Sequence, residues 1–144
     1  MVKKLPLKLY EKIYSLVPRL CVDVLIKSDA GIILVKRDVK PCEGMWHLPG
    51  STVLLGESLE SAVKRTAREE TGLNVRIKKQ LGVKEYSRKA AFGQAISIVY
   101  LAESLPGKLK GNEFGKNARC FKEIPKKTIK EHKEVLENYS KETL

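Results

Sequence analysis

The chain has 144 residues and a formal net charge of +11, a length that suits one domain, 1–144, around a single hydrophobic core. No apolar run approaches the roughly 18–20 residues that a membrane-spanning helix needs, and three cysteines (Cys21, Cys42, Cys120) with no Cys-x-x-Cys pair argue against a disulfide framework or structural zinc and for reduced thiols in a cytoplasmic protein. The basic surplus attracts polyanions, either nucleic acid or phosphorylated small molecules, without choosing between them; the few aromatics are not interleaved with the lysines, so a stacking platform for single strands is not indicated.

In chain order, Leu9, Ile13, Leu16 and Val17 recur at helical spacing. They predict an amphipathic helix over about 5–17, packed on the domain and ended by Pro18, rather than a signal peptide. CVDVLIK (21–27) and IILVK (32–36) are β-branched runs joined by the turn cluster SDAG, a hairpin signal. MWHLPG predicts a short strand stopped by Pro49 and Gly50. A helix over about 59–71 follows. NVRIKKQLGVKEYSR alternates enough for one or two strands. QAISIVYLAES is the strongest strand, with Ile96, Ile98 and Tyr100 on one face and Ala95, Ser97, Val99 and Leu101 on the other. ARCFKEI reads as a short strand and KKTIKEHKEVLENYS as a C-terminal helix over about 126–140. Without a regular βαβ rhythm, this order predicts an α+β fold: a mixed sheet with helices on its faces.

The helix over 59–71 carries the chemistry. Ser58 is its N-cap and Gly72 its C′ residue. Leu59, Ala62, Val63, Thr66 and Ala67 form one apolar stripe. Glu70 falls inside that stripe, with Glu69 and Arg65 as i, i+4 neighbours on its flank and Glu60, Lys64 and Arg68 on the opposite face. A carboxylate in an apolar interior costs several kcal/mol unless it is paired, and the helix dipole disfavours acids at a C-terminus. Either one acid is protonated, or Arg65 neutralises the pair, or a divalent cation binds between them; the bland alternative is an exposed, frayed helix end. Upstream, LPGSTVLLGE supplies a sharp turn. Gly50 lets its backbone approach closely, and Glu57 is a third acid that the loop can fold back. Carboxylates beside basic residues make a cradle for Mg²⁺ and a diphosphate.

At these residues the sequence resembles the Nudix hydrolase family. The family's signature is Gly, five residues, Glu, seven residues, Arg-Glu, an aliphatic, any residue, Glu-Glu, any residue, Gly, an aliphatic. Here Glu57, Arg65, Glu69, Glu70, Gly72 and Leu73 fall on its fixed positions, the box runs over about 50–73, and WHLPG (46–50) matches the lead-in. Two positions depart: Ser51 stands for the opening Gly, and Thr66 for the Glu after Arg65. The resemblance implies an α/β/α sandwich around a mixed, curved sheet, and a hydrolase dependent on Mg²⁺, with Mn²⁺ as a substitute. It implies metal ligation by Gly50 (through its carbonyl), Glu69 and Glu70, and catalytic duty for Glu57, Arg65 and Glu69. The chain is also similar to the family's GDP-mannose mannosyl hydrolase branch, where Asp23 and Arg37 match residues that contact substrate or leaving group. That branch takes its base from a histidine in a late loop. The matching segment here, GNEFGKNARCF, has none, and Glu113 is its only carboxylate: base, metal ligand or ordinary loop acid.

The expected substrate is a nucleoside diphosphate linked to another moiety, such as a nucleotide sugar. The alternatives are a non-catalytic nucleotide-binding module and a hydrolase of RNA 5′ ends. Relatives are often dimers, so a homodimer is a further expectation. Arg37 suits a phosphate as a permanently charged, bidentate donor. Trp46 is either core or a base-stacking surface. Asp23 either meets solvent or ligand, or is buried and paired. His47 is expected to be packed in its strand, and His132, on a lysine-rich helix, to be solvated.

Overall fold

The computed structural model describes residues 3–38, 40, 42–86, 93–109 and 117–139. Seven strands form one sheet: β1 (Arg19–Ser28), β2 (Gly31–Lys36), β3 (Trp46–His47), β4 (Gly50–Thr52), β5 (Val75–Tyr86), β6 (Ala95–Ser104) and β7 (Asn117–Phe121). The main path runs β3-β2-β1-β6-β5, with β4 paired to β1 and β7 to β2. Of these strands only β1 and β6 run parallel, in register from Arg19 opposite Ala95 to Lys27 opposite Glu103; the other pairs are antiparallel. The sheet is thus mixed, as expected. The 75–86 stretch is a single strand whose register slips twice, between Ile77 and Lys79 and between Gln80 and Gly82.

Side chains alternate across β1, and each face supports its own core. Val22, Val24 and Ile26 pack with Ala62, Val63 and Ala67 of α2 (Leu59–Thr71). Leu25, with Val99 and Leu101 of β6, packs with Val135 and Leu136 of α3 (Lys130–Asn138). Helices therefore cover both faces, and β6 divides its residues as its alternation predicts. No helix among the described residues is long and apolar enough to cross a membrane. Cys21, Cys42 and Cys120 are free thiols.

Four expectations need correction. The first helix, α1, spans only Leu7–Tyr14. It stops before Pro18 because Ser15 turns its hydroxyl back to the carbonyl of Lys12, and the residue preceding a proline is steered away from helix. Nor does its apolar stripe pack: no α1 residue is buried, and Leu9, Leu16 and Val17 are 45%, 76% and 49% exposed. Polar contacts tether it instead, with the Tyr10 hydroxyl 2.6 Å from Thr52 Oγ1 and within 3.2 Å of the Arg19 guanidinium. Gly50 does not merely stop a strand. It opens β4, pairing opposite Asp23. Finally, α3 starts at Lys130 rather than 126, because the preceding residues extend alongside β3: Trp46 N–H donates to Lys127 O and Ile129 N–H to Trp46 O. Residue 140, the expected end of that helix, lies outside the described residues.

Candidate active site

The acid-bearing helix forms as its sequence dictates. Ser58 Oγ accepts the N–H of Ser61 at 3.1 Å, and Gly72 closes the helix at φ +79°, a left-handed conformation that glycine adopts without steric cost. The buried face holds Ala62, Val63, Thr66, Ala67, Glu70 and Thr71. Glu70 is only 4% exposed, so the carboxylate does enter the interior. Its Oε1 accepts the backbone N–H of Gly50 at 2.8 Å.

The pairing of β4 with β1 explains how Gly50 comes to face that acid. Val24 N–H donates to Pro49 O and Val53 N–H to Leu20 O. In an antiparallel ladder hydrogen-bonded and non-hydrogen-bonded pairs alternate, and Asp23–Gly50 is a non-hydrogen-bonded pair. The N–H of Gly50 turns away from β1 toward Glu70, and its carbonyl shares that side. A side chain there would have to displace the Asp23 carboxylate: a Cβ would sit 2.1 Å from Asp23 Oδ1 and 3.1 Å from Val22 O.

Arg65 organises the rest. Its Nε and Nη2 donate to Glu57 at 2.7 and 3.0 Å, Nη2 also reaches Thr52 O at 3.0 Å, and Nη1 donates to Glu69 Oε1 at 3.2 Å. Leu54 N–H supplies Glu57 with a further donor. The fork of hydrogen bonds from Arg65 holds the Glu57 carboxyl below its usual range, and the same bond raises the pKa of Arg65. For Glu69, burial pushes upward, but bonds from Lys4 and Arg65 outweigh it and the net shift is downward. Lys4 Nζ lies 2.6 Å from Glu69 Oε2. Gly50, Arg65, Glu69 and Glu70 line one cleft of about 710 Å³, together with the cations Lys3, Lys4 and Arg19 and the acid Asp38.

These residues sit at signature spacing on a mixed sheet, and a family model for the NUDIX domain matches residues 17–139. This chain belongs to the Nudix family. It is a Nudix hydrolase, similar to an ADP-ribose pyrophosphatase of Methanocaldococcus jannaschii at 37% identity over 140 residues, 96% of this chain and 81% of the relative. It is also similar to the low-salt glycan biosynthesis protein Agl8 of Haloferax volcanii, at 39% identity over 77 residues, 54% of this chain and 49% of the relative. Among solved structures, a MutT NUDIX hydrolase from Burkholderia pseudomallei superimposes with a TM-score of 0.75 at 29% identity, covering 84% of this chain and 97% of that one.

Nudix hydrolases generally use divalent metal cations, and the donors here fit one. Glu69, Glu70 and the Gly50 carbonyl offer only oxygen, the preference of a hard cation. Among the described residues, no group of three or more His, Cys, Asp or Glu side chains could hold a metal. Two carboxylates with a backbone carbonyl suit a hard divalent cation that completes its shell with water and phosphate oxygens. The two departures from the Nudix signature answer each other. Ser51 Oγ and Thr66 Oγ1 lie 2.5 Å apart, so a neutral hydroxyl pair occupies the ground between β4 and α2.

The other sequence-predicted residues lie elsewhere. Glu57 buttresses Arg65 and does not line the cleft. Glu113 lies outside the described residues. Trp46 is a core residue, 9% exposed, edge-on to Phe121 at 4.7 Å with the Arg119 guanidinium over its ring. Arg37 is half-exposed just past β2, its backbone bonded to Met45 O. Asp23 is buried and paired: Tyr86 donates its hydroxyl to Oδ2 at 2.5 Å. Burial pushes the Asp23 carboxyl up to about 6, against the downward pull of Tyr86, Ser97 and Arg19. Burial, and then the Asp23 charge, raises the Tyr86 phenol as well. Removing that donor leaves a buried carboxylate less satisfied, so Tyr86→Phe should lower stability by about 1–3 kcal/mol in urea melts at pH 8; an unchanged midpoint would show that the bond contributes nothing.

Sequence reasoning misplaced His132. The residue is half-buried rather than free in solvent: its imidazole stacks on the Tyr86 ring, centroids 5.3 Å and planes 26° apart. Burial, with Arg37 and Lys84 close by, lowers its pKa to about 3. Helical position alone put it on the lysine-rich face. The signal that would have found it is that β5, carrying Tyr86, returns beneath α3.

Proposed function

We propose that this Nudix hydrolase cleaves a nucleoside diphosphate joined to a second moiety, with Mg²⁺ as the cation. ADP-ribose is the first candidate and GDP-mannose the second. The observation that carries this reading is the buried Glu70 carboxylate facing the Gly50 backbone at 2.8 Å, with Glu69 beside it in a cleft that lysines and arginines also line. The relatives named ADP-ribose pyrophosphatase and Agl8 support the ranking, the first across nearly the whole chain and the second across about half.

In this reading Glu69, Glu70 and the Gly50 carbonyl hold the cation. When bound, it neutralises charge on the diphosphate and polarises the attacked centre. Arg65 fixes the rotamer of Glu69 by bonding it from the side, and Glu57 fixes Arg65. Lys3, Lys4 and Arg19 line the cleft and favour the diphosphate. Arg37 is assigned to the leaving group and Glu113 to proton acceptance from the attacking water. Asp23 backs Gly50 from β1, and Trp46 packs in the core against α3.

A substrate panel with Mg²⁺ tests this: ADP-ribose, GDP-mannose, other nucleotide sugars, and capped or triphosphorylated RNA. The expected result is two monophosphates from ADP-ribose, with ¹⁸O from labelled water in one phosphate. Label in a free sugar would move the attack to carbon. Binding without turnover across the panel would replace the enzyme with a nucleotide-binding module, and salt-sensitive cleavage confined to RNA would replace the substrate class.

A further inference from the structure

The chain has two histidines, and both direct Nδ1 at the same residue. His47 Nδ1 lies 2.8 Å from the carbonyl of Leu48, which can only accept, so that nitrogen donates. Leu48 N–H in turn donates to His132 Nδ1 at 3.0 Å, across 84 positions of sequence. His132 must therefore be neutral, with its proton on Nε2. The two rings meet edge-on at 5.7 Å.

Leu48 begins the short link from β3 to β4, which opens at Gly50. Its side chain is fully buried, Pro49 O accepts from Val24, and Gly50 N–H is spent on Glu70. His132 ties this link to α3. The imidazole also stacks on Tyr86, whose hydroxyl bonds the Asp23 carboxylate that abuts Gly50 from behind. One polar cluster on the α3 face thus grips the link at Leu48 and backs it at Gly50, while Glu70 meets it from the α2 face.

We infer that His132 is a positioning residue of the hydrolase: by accepting the Leu48 N–H it anchors the His47–Leu48 peptide, and so the start of the Leu48–Gly50 segment whose far end presents the Gly50 carbonyl to the cation. This rests on the reading of Gly50 as a ligand. His132 touches no reacting atom; it acts through the backbone, two residues before the proposed ligand.

Two variants separate position from mere packing. His132→Phe keeps a flat ring over Tyr86 and removes the acceptor. His132→Asn offers Oδ1 near the place of Nδ1. Binding of Mn²⁺ to the full chain, without substrate, is followed by electron paramagnetic resonance alongside the melting temperature. The expected result is about a tenfold to hundredfold loss of Mn²⁺ affinity in His132→Phe and a return to within about threefold in His132→Asn, with KM for substrate at saturating metal little changed. His132→Phe binding Mn²⁺ like the wild type, whatever its melting temperature, overturns the role. A wild type that binds no Mn²⁺ overturns the functional reading as well, so the two failures are distinct. Should His132→Phe not fold, the wild type still decides: its imidazole ¹⁵N spectrum must show the Nε2–H tautomer at neutral pH, and an Nδ1–H ring overturns the inference.

Discussion

Glu70→Gln should cut metal-dependent turnover by about a hundredfold to ten-thousandfold, which corresponds to removing several kcal/mol of charge stabilisation at the reacting diphosphate. The substitution is chosen to leave the fold alone. Gln keeps the side chain's length, and its amide oxygen can still accept the Gly50 N–H that Glu70 Oε1 accepts at 2.8 Å. What it loses is the negative charge at a position only 4% exposed. Steady-state rates at saturating Mg²⁺, read beside thermal melts of both proteins, make the comparison. Full activity in the variant would mean that the cation is held elsewhere and that the buried acid serves packing.

The largest effect on stability is expected at Arg65. Arg65→Met should cost about 3 kcal/mol at pH 7, the low end of the range for breaking a buried pair by removing one partner. The Glu57 side chain is 4% exposed and keeps its charge without its fork, while Arg65 itself is 19% exposed, which moderates the penalty. The effect depends on pH in a defined direction. Because Arg65 holds the folded-state pKa of Glu57 below its ordinary value of 4.5, the pair stabilises fully above that value. The contribution fades as pH falls through the lowered one. Urea melts of the two proteins should therefore differ most near neutrality and converge as pH falls from 4.5 through the lowered value. A gap that stays constant down to pH 3 would remove the ion pair from the explanation and leave only lost packing.

The α2 segment was legible because every level of its sequence agreed. The cap at Ser58, the stripe from Leu59 to Ala67 and the glycine at 72 all specify the same thirteen-residue helix. The same periodicity put Glu70 inside, so the pattern of residues by itself raised the question of how an acid survives there. The α1 segment had periodicity alone. Its stripe found no groove, and local competition from Ser15 shortened it. Gly50 was legible as a close approach but not as the start of a strand, since β4 is three residues long and exists only through its pairing with β1. His132 and Lys4 were illegible for a related reason. Their partners, Leu48 and Glu69, are 84 and 65 positions away, and side-chain periodicity within one segment carries no information about which distant segment will face it.

The central strand has a consequence for biosynthesis. β1 lies between β2 and β4 on one edge and β6 on the other, and its parallel neighbour leaves the ribosome long after the signature helix has emerged. A nascent chain that has exposed Glu69 and Glu70 but not yet β6 has no completed sheet to hold those acids in place, and α3, which carries His132, comes later still. Loop closure of this span must precede the contacts that reward it. On the proposed reading of Gly50, Glu69 and Glu70 as ligands, cation capture should consequently be a late event of synthesis, absent from a half-made polypeptide.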